Sequence, residues 1–198
     1  MRKLIKSRSV GYYSLLTPGI RVVSTTPSMS VYTENYRFVN AIRIKIAEQK
    51  LYLCDDDGGV LSEYPVSTSK YGTGNADGSN QTPIGLHRIK DKIGGAMPVN
   101  EVFIGREPQG TLQECIERGA ELPEDVITSR ILWLEGMEPG RNRGGYVDSY
   151  QRYIYIHGTS DEENIGRPAS IGCIRMRNND IVELYRLVDT GSEVMIEE

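Results

Sequence analysis

Ile42-Arg43-Ile44-Lys45-Ile46 alternates apolar and basic side chains with period two, which puts one apolar face on a half-buried β-strand. Working outward, Ala47-Glu48-Gln49-Lys50 turns the chain into Leu51-Tyr52-Leu53-Cys54. Asp55-Asp56-Asp57-Gly58-Gly59 is a strong turn before a third strand from Val60 to Ser67, so the domain opens as an antiparallel meander. Further short strands are expected at Leu86–Ile89, Val102–Ile104, Ile131–Leu134, Tyr153–Ile156 and Glu193–Ile196. Helical spacing appears twice. Leu112, Cys115 and Ile116 form one short stripe with Thr111 as cap and Gly119 as stop. Ile181, Leu184, Tyr185 and Val188 form a second, with caps offered by Asn178 to Asp180 and a stop at Gly191. The pattern predicts a mostly β domain with one or two short helices. Tyr71 to Gln81, rich in Gly, Asn, Asp and Ser, reads as a mobile loop; no Gly-Lys-Ser/Thr follows its glycines, so it is not a phosphate loop.

A length of 198 residues fits one domain with a short appendage. With 38% hydrophobic and 25% charged residues, the chain is neither a disordered polyelectrolyte nor a membrane-spanning protein, and no run approaches the ~20 apolar residues a bilayer span needs. The net charge of −4 argues against a broad basic surface for nucleic acid. That charge is uneven. Residues 1–33 hold five basic side chains and no acidic one, and residues 34–198 carry 18 basic against 27 acidic groups. We read residues 1–40 as a basic N-terminal arm or a degenerate export segment, because Gly11, Ser14, Thr17, Pro18 and Gly19 interrupt its apolar run and no clear cleavage site follows. Residues 41–198 are the folded domain. Two histidines and three widely spaced cysteines offer no metal-ligand set, so neither a metal nor a cofactor is expected.

Chemistry is concentrated in the C-terminal third. Tyr153-Ile154-Tyr155-Ile156-His157-Gly158-Thr159 reads as a strand ending in a histidine, and Ser170-Ile171-Gly172-Cys173 as a turn presenting a cysteine. A catalytic thiol needs a base, a small neighbour that lets substrate approach, and backbone N–H groups aimed at the developing oxyanion. His157, Gly172 and the backbone at Cys173 supply all three. Cys54 in a strand and Cys115 on a helix stripe read as core, and His87 as structural or substrate-lining.

From His157-Gly158-Thr159 through Ser170-Ile171-Gly172-Cys173-Ile174-Arg175-Met176, the sequence resembles the active-site signature of the L,D-transpeptidase catalytic domain of the YkuD type. Ile42 to Leu53 looks like the family's opening strands, Tyr64-Pro65-Val66-Ser67-Thr68 like its next strand, and Thr82-Pro83-Ile84-Gly85 like its turn. Ile171 departs from the pattern, since many members have a second histidine directly before Gly-Cys; Ser69-Lys70 stands where many have a glycine. The resemblance implies a catalytic β-sandwich in which Cys173 attacks a carbonyl of a peptidoglycan stem peptide, the terminal D-alanine leaves, and the thioester passes to an amine of a neighbouring stem. It further implies His157 as base, the Gly158 carbonyl as its orienting partner, and N–H groups of Gly172 and Cys173 as the oxyanion site. Thr159 and Ser170 would line the substrate. Arg175 would either hold a substrate carboxylate or serve in a structural ion pair. Carbapenem-type β-lactams would acylate the same thiol. Release of the acyl group to water would instead make a carboxypeptidase, using the same residues. A catalytically dead wall-binding module is disfavoured by the intact His157, Gly172, Cys173 and Arg175. Such a substrate places the protein in the cell envelope, on the periplasmic side; sequence says nothing of oligomeric state.

Overall fold

The computed structural model describes residues 41–198, and the N-terminal arm expected over 1–40 lies outside them. The opening alternation forms β1 (Ala41–Lys45), followed by β2 (Lys50–Cys54) and β3 (Val60–Pro65), antiparallel in sequence as expected. Then come β4 (Gly85–Ile93), β5 (Glu101–Ile104), β6 (Glu107–Thr111), α1 (Leu112–Glu117), β7 (Ile127–Gly136), β8 (Tyr155–Thr159), β9 (Ile174–Met176), α2 (Asn178–Leu187) and β10 (Glu193–Glu197). The strands pair in the order β3-β2-β1-β10-β4-β7-β5-β6, with β8 on β7 and β9 on β8. β1–β10 and β8–β9 are parallel.

Past β3, Ser67 pairs with Arg175 of β9 through N–H···O bonds of 2.9 Å in both directions. The sheet therefore bends over and meets itself, which makes two layers around one core: the β-sandwich the resemblance implies. Ile42, Leu51, Ile89, Leu134, Ile156, Ile174, Met176 and Leu184 fill that core, and α2 packs its apolar stripe against it. β7 is the shared strand. Its register breaks between Thr128 and Ile131, where Ser129 takes a φ of +63°, so one stretch pairs with β5 and the next with β4, while β8 lies along the other edge. No helix of the described residues is long and apolar enough to cross a membrane.

Several expectations need correction. β4 and β7 are longer than their apolar runs, and β6 has no apolar alternation at all; it is a polar partner of β5 at the sheet edge. The strand expected at Tyr153–Ile156 starts at Tyr155 and runs on through His157 to Thr159, because Tyr153 has a φ of +57° and cannot begin it. In α1 the Thr111 cap forms a full capping box with Glu114 and Cys115 is buried, but Ile116 is 59% exposed: six residues make too short a helix to bury a whole stripe. For α2, the N-cap is Arg177, without a side-chain cap; the Asn178 N–H donates instead to Glu162 Oε1 (2.8 Å). The loop expected to be mobile is anchored, since Arg152 donates to the carbonyls of Gly74 (3.2 Å), Asn75 (3.0 Å) and Gln81 (2.8 Å).

Asn178, released from capping, ties β7 to β8. Its amide oxygen accepts from the hydroxyls of Thr128 (2.6 Å) and Ser129 (2.5 Å), and its amide nitrogen donates to Thr159 O (2.9 Å) and Glu162 Oε1 (2.7 Å). Truncation leaves these buried groups unpaired, so Asn178→Ala should cost about 2–3 kcal/mol, whereas exposed Asn179→Ala should stay within about 0.5 kcal/mol. Urea unfolding of the two variants checks this; equal midpoints would contradict it.

Candidate active site

In the parallel ladder of β8 and β9, Ile156 stands opposite Ile174, His157 opposite Arg175 and Gly158 opposite Met176. Successive strand residues face opposite sides, so Ile156, Ile174 and Met176 point into the main core and the alternate set points away. That alternate set is Tyr155, His157, Cys173 and Arg175. Cys173 precedes β9 by one residue and packs with Phe103, Ile131, Trp133 and Tyr155 in a second cluster. The ladder thus brings together the nucleophile and base predicted from sequence, as diagonal neighbours on one face.

Gly158 is glycine for space. A Cβ there would stand 2.6 Å from Thr128 O and 2.7 Å from Asn178 Oδ1, so any side chain would push β8 off β7 beside the histidine. The Gly158 carbonyl accepts a hydrogen bond from His157 Nδ1 at 2.8 Å, which assigns the proton to Nδ1 and leaves Nε2 with its lone pair.

The cysteine turn is held by hydroxyls. Ser170 Oγ donates to Cys173 O (2.6 Å) and accepts from the Gly172 N–H (3.2 Å). Thr82 Oγ1 donates to Gly172 O (2.9 Å) and accepts from the Ser69 N–H (3.0 Å), and Ser69 pairs with Ser170. One threonine hydroxyl therefore joins Ser69 after β3, the Thr82–Gly85 turn and the cysteine loop, the last of them 90 residues away in sequence. Gly172 at φ +134° lets the turn close. Ile171, where a second histidine is frequent in the family, is 51% exposed beside the thiol and brings no polar group. The expectation that Ser170 and Thr159 line the substrate meets a different arrangement. Both are fully buried, with Thr159 Oγ1 accepting from the Asp161 N–H (3.1 Å), so they brace the site from behind.

Electrostatics set the resting protonation. Burial lowers the pKa of His157; the Asp125 charge and the Gly158 carbonyl oppose this, and Arg175 adds to it. Burial also pushes the Cys173 thiol up to about 12, against a backbone hydrogen bond from Tyr155 and the positive charges of Arg175 and Arg152. At neutral pH the pair rests as thiol and neutral imidazole, so His157 does not hold a standing thiolate. The thiol donates to Tyr153 O at 3.4 Å.

Of the two roles open to Arg175, the structure displays the ion pair. Its guanidinium is only 7% exposed; Nη2 lies 2.7 Å and Nε 3.2 Å from Asp125 Oδ2, and Nη1 lies 3.4 Å from Asp161 Oδ2. Asp125 was not legible in the sequence: it sits in an irregular segment, 50 residues from its partner. Its second oxygen, Oδ1, is buried without a hydrogen-bond partner. His87 is structural, with Nδ1 on Gly85 O (3.0 Å), Nε2 on Ser149 Oγ (2.9 Å), and a pKa lowered to about 4 by burial. Cys54 and Cys115 are buried, as expected.

Comparison with known proteins bears on the family of the chain. Over 172 residues the chain is 26% identical to "Probable L,D-transpeptidase ErfK/SrfK" of Escherichia coli K12, covering 87% of this chain and 48% of that protein. It is also 26% identical to "Probable L,D-transpeptidase YcfS" of the same organism, over 99% of this chain and 58% of that one. The chain thus spans about half the length of these curated relatives. Among solved structures, L,D-transpeptidase 3 from Mycobacterium tuberculosis with a faropenem-derived adduct superimposes with a TM-score of 0.48 at 15% identity, covering 80% of this chain and 60% of that one. The L,D-transpeptidase catalytic domain, YkuD, matches residues 39–196, from ahead of β1 into β10, and the chain belongs to that family.

Proposed function

We propose that the protein is a peptidoglycan L,D-transpeptidase of the cell envelope that works through a thioester on Cys173. The observation that carries this reading is the β8–β9 register, which sets Cys173 and a lone-paired His157 Nε2 on one face. In the first half-reaction, sulfur attacks the carbonyl of the stem's third residue while the S–H proton passes to His157 Nε2. The C–N bond to the terminal D-alanine then breaks and the imidazolium returns that proton to the leaving amine. In the second, the side-chain amine of a neighbouring stem attacks the thioester, gives its proton to His157, and the thiol is restored. Cys173 N–H serves the oxyanion; the Gly172 N–H joins it by leaving Ser170 Oγ, to which it is held at 3.2 Å. Carbapenem-type β-lactams acylate the same sulfur.

Within this scheme Asp125 acts as a positioning residue through His157. The imidazolium forms in a buried site, and the Asp125 carboxylate is the largest of the influences that favour it. Arg175 fixes that carboxylate by its 2.7 Å contact.

Incubation of the protein with tetrapeptide-bearing muropeptides, followed by mass spectrometry, should give dimers crosslinked between third residues and free D-alanine, with no product from Cys173→Ala. Tripeptides without dimers would make the enzyme a carboxypeptidase, and no turnover at all would overturn the proposal.

The pH profile carries a signed prediction. Acylation falls as pH drops through the His157 pKa, which lies below its usual 6.5, because the protonated base cannot accept the thiol proton. Asp125→Asn removes a charge that holds this pKa up, so its acid limb should move to lower pH, by about half a unit or more, and its plateau should fall. An acid limb that stays in place in the folded variant would exclude Asp125 from this role.

A further inference from the structure

The hairpin of β5 and β6 turns at Gly105 and Arg106, both at positive φ (+57° and +73°), and sends the Arg106 side chain back over the active-site face. Its guanidinium lies 4.8 Å over the Trp133 ring and 5.2 Å over the Tyr153 ring, and Nη1 donates to the Tyr155 hydroxyl at 3.1 Å. Trp133 is itself fixed, stacked on Tyr150 at 4.1 Å with Nε1 donating to Tyr150 O at 3.0 Å. The result is a rigid aromatic shelf. It is continuous with the nucleophile, because Trp133 and Tyr155 pack in the same cluster as Cys173.

Two facts point to a ligand. Among the described residues, Arg106 has no carboxylate within 4.0 Å, although it is a half-buried cation. It also borders an open cavity of about 560 Å³, with Trp133, Asp91, Lys92 and Glu107 on its walls. The other charges on the inner wall are engaged: Asp91 accepts from the Tyr150 hydroxyl (2.9 Å), and Lys92 donates to Tyr185 O (2.8 Å) with Asp189 at 3.7 Å. Glu107 stands exposed on the rim. A guanidinium held over aromatic rings with one N–H on the Tyr155 hydroxyl keeps further N–H donors in its planar fork for a carboxylate.

We infer that Arg106 is a specificity residue that receives the side-chain carboxylate of the residue whose carbonyl Cys173 attacks. The assignment rests on the transpeptidase reading above. The residue acylated at the sulfur must place its own side chain next to Cys173, and the aromatic cluster of Trp133 and Tyr155 that packs with Cys173 leads from there to the Arg106 guanidinium. The favoured acyl donors would then be stems whose third residue carries a free carboxylate on its side chain, over those in which that group is amidated.

The test uses two synthetic tetrapeptide donors that differ only in this group, carboxylate or carboxamide, and follows thioester formation on intact protein. Wild type should acylate with the carboxylate donor about tenfold or more faster in kcat/KM, the size of one charge-assisted contact. Arg106→Gln should lose that factor for the carboxylate donor and bring the ratio of the two donors near one. Arg106→Lys, which keeps the charge without the fork, should retain part of the preference. Acylation of wild type without discrimination, or an unchanged ratio in Arg106→Gln, would overturn the inference while leaving the transpeptidase reading intact. Absence of any thioester from either donor would overturn both.

Discussion

Pairing of Ile156 with Ile174 and of His157 with Arg175 in one parallel ladder decides at once what fills the core and what lies on the face of the candidate site. Because side chains alternate, a slip of one residue would send Arg175 inward in place of Ile174 and carry Cys173 to the wrong face. Apolar packing of Ile156, Ile174 and Met176 resists that slip from one side, and the ion pair of Arg175 with Asp125 resists it from the other. An unpaired guanidinium in the core would cost several kcal/mol, far more than the pairing of three residues could return. The register is therefore held by the same residues that build the site, and the bridge from Arg175 to Ser67 that closes the sandwich adds a third restraint.

A half-buried thiol pushed up to about 12 by desolvation, beside a buried imidazole pushed down, makes a pair that rests neutral. Such a pair is protected from adventitious alkylation and oxidation, since the thiolate is the reactive form. In the proposed mechanism charge separates only during attack, when oxyanion and imidazolium form together and their fields partly cancel. Asp125 and Arg175, opposite in sign and in contact, stand behind that event; both act on His157, in opposite directions. The balance between them, more than either alone, fixes where the base titrates.

Much of this was legible in the sequence because strands announce themselves by alternation. Ile42 to Ile46 gives β1, and the even-numbered isoleucines at 154, 156 and 174 mark the core face on which the odd-numbered His157, Cys173 and Arg175 turn their backs. His157 and Cys173 stood out because a strand ends in the histidine, a glycine-flanked turn presents the cysteine, and both stretches resemble the family's active-site signature. What stayed hidden was tertiary. Glu107 to Thr111 has no alternation because β6 buries little, and its hairpin matters for where it carries Arg106. Asp125 belongs to no periodic element and gains meaning only through Arg175. Ser170 and Thr159 looked like substrate contacts by proximity in sequence, and chain direction turned both inward.

The sulfur that holds the acyl group decides the proposed mechanism. Wild-type protein incubated with a tetrapeptide donor and quenched in acid should gain the mass of one tripeptidyl group as a hydroxylamine-labile thioester, and peptide mapping should place it on Cys173, with the buried Cys54 and Cys115 unmodified. An adduct found on Cys54 or Cys115, or one that persists in Cys173→Ala, would contradict it.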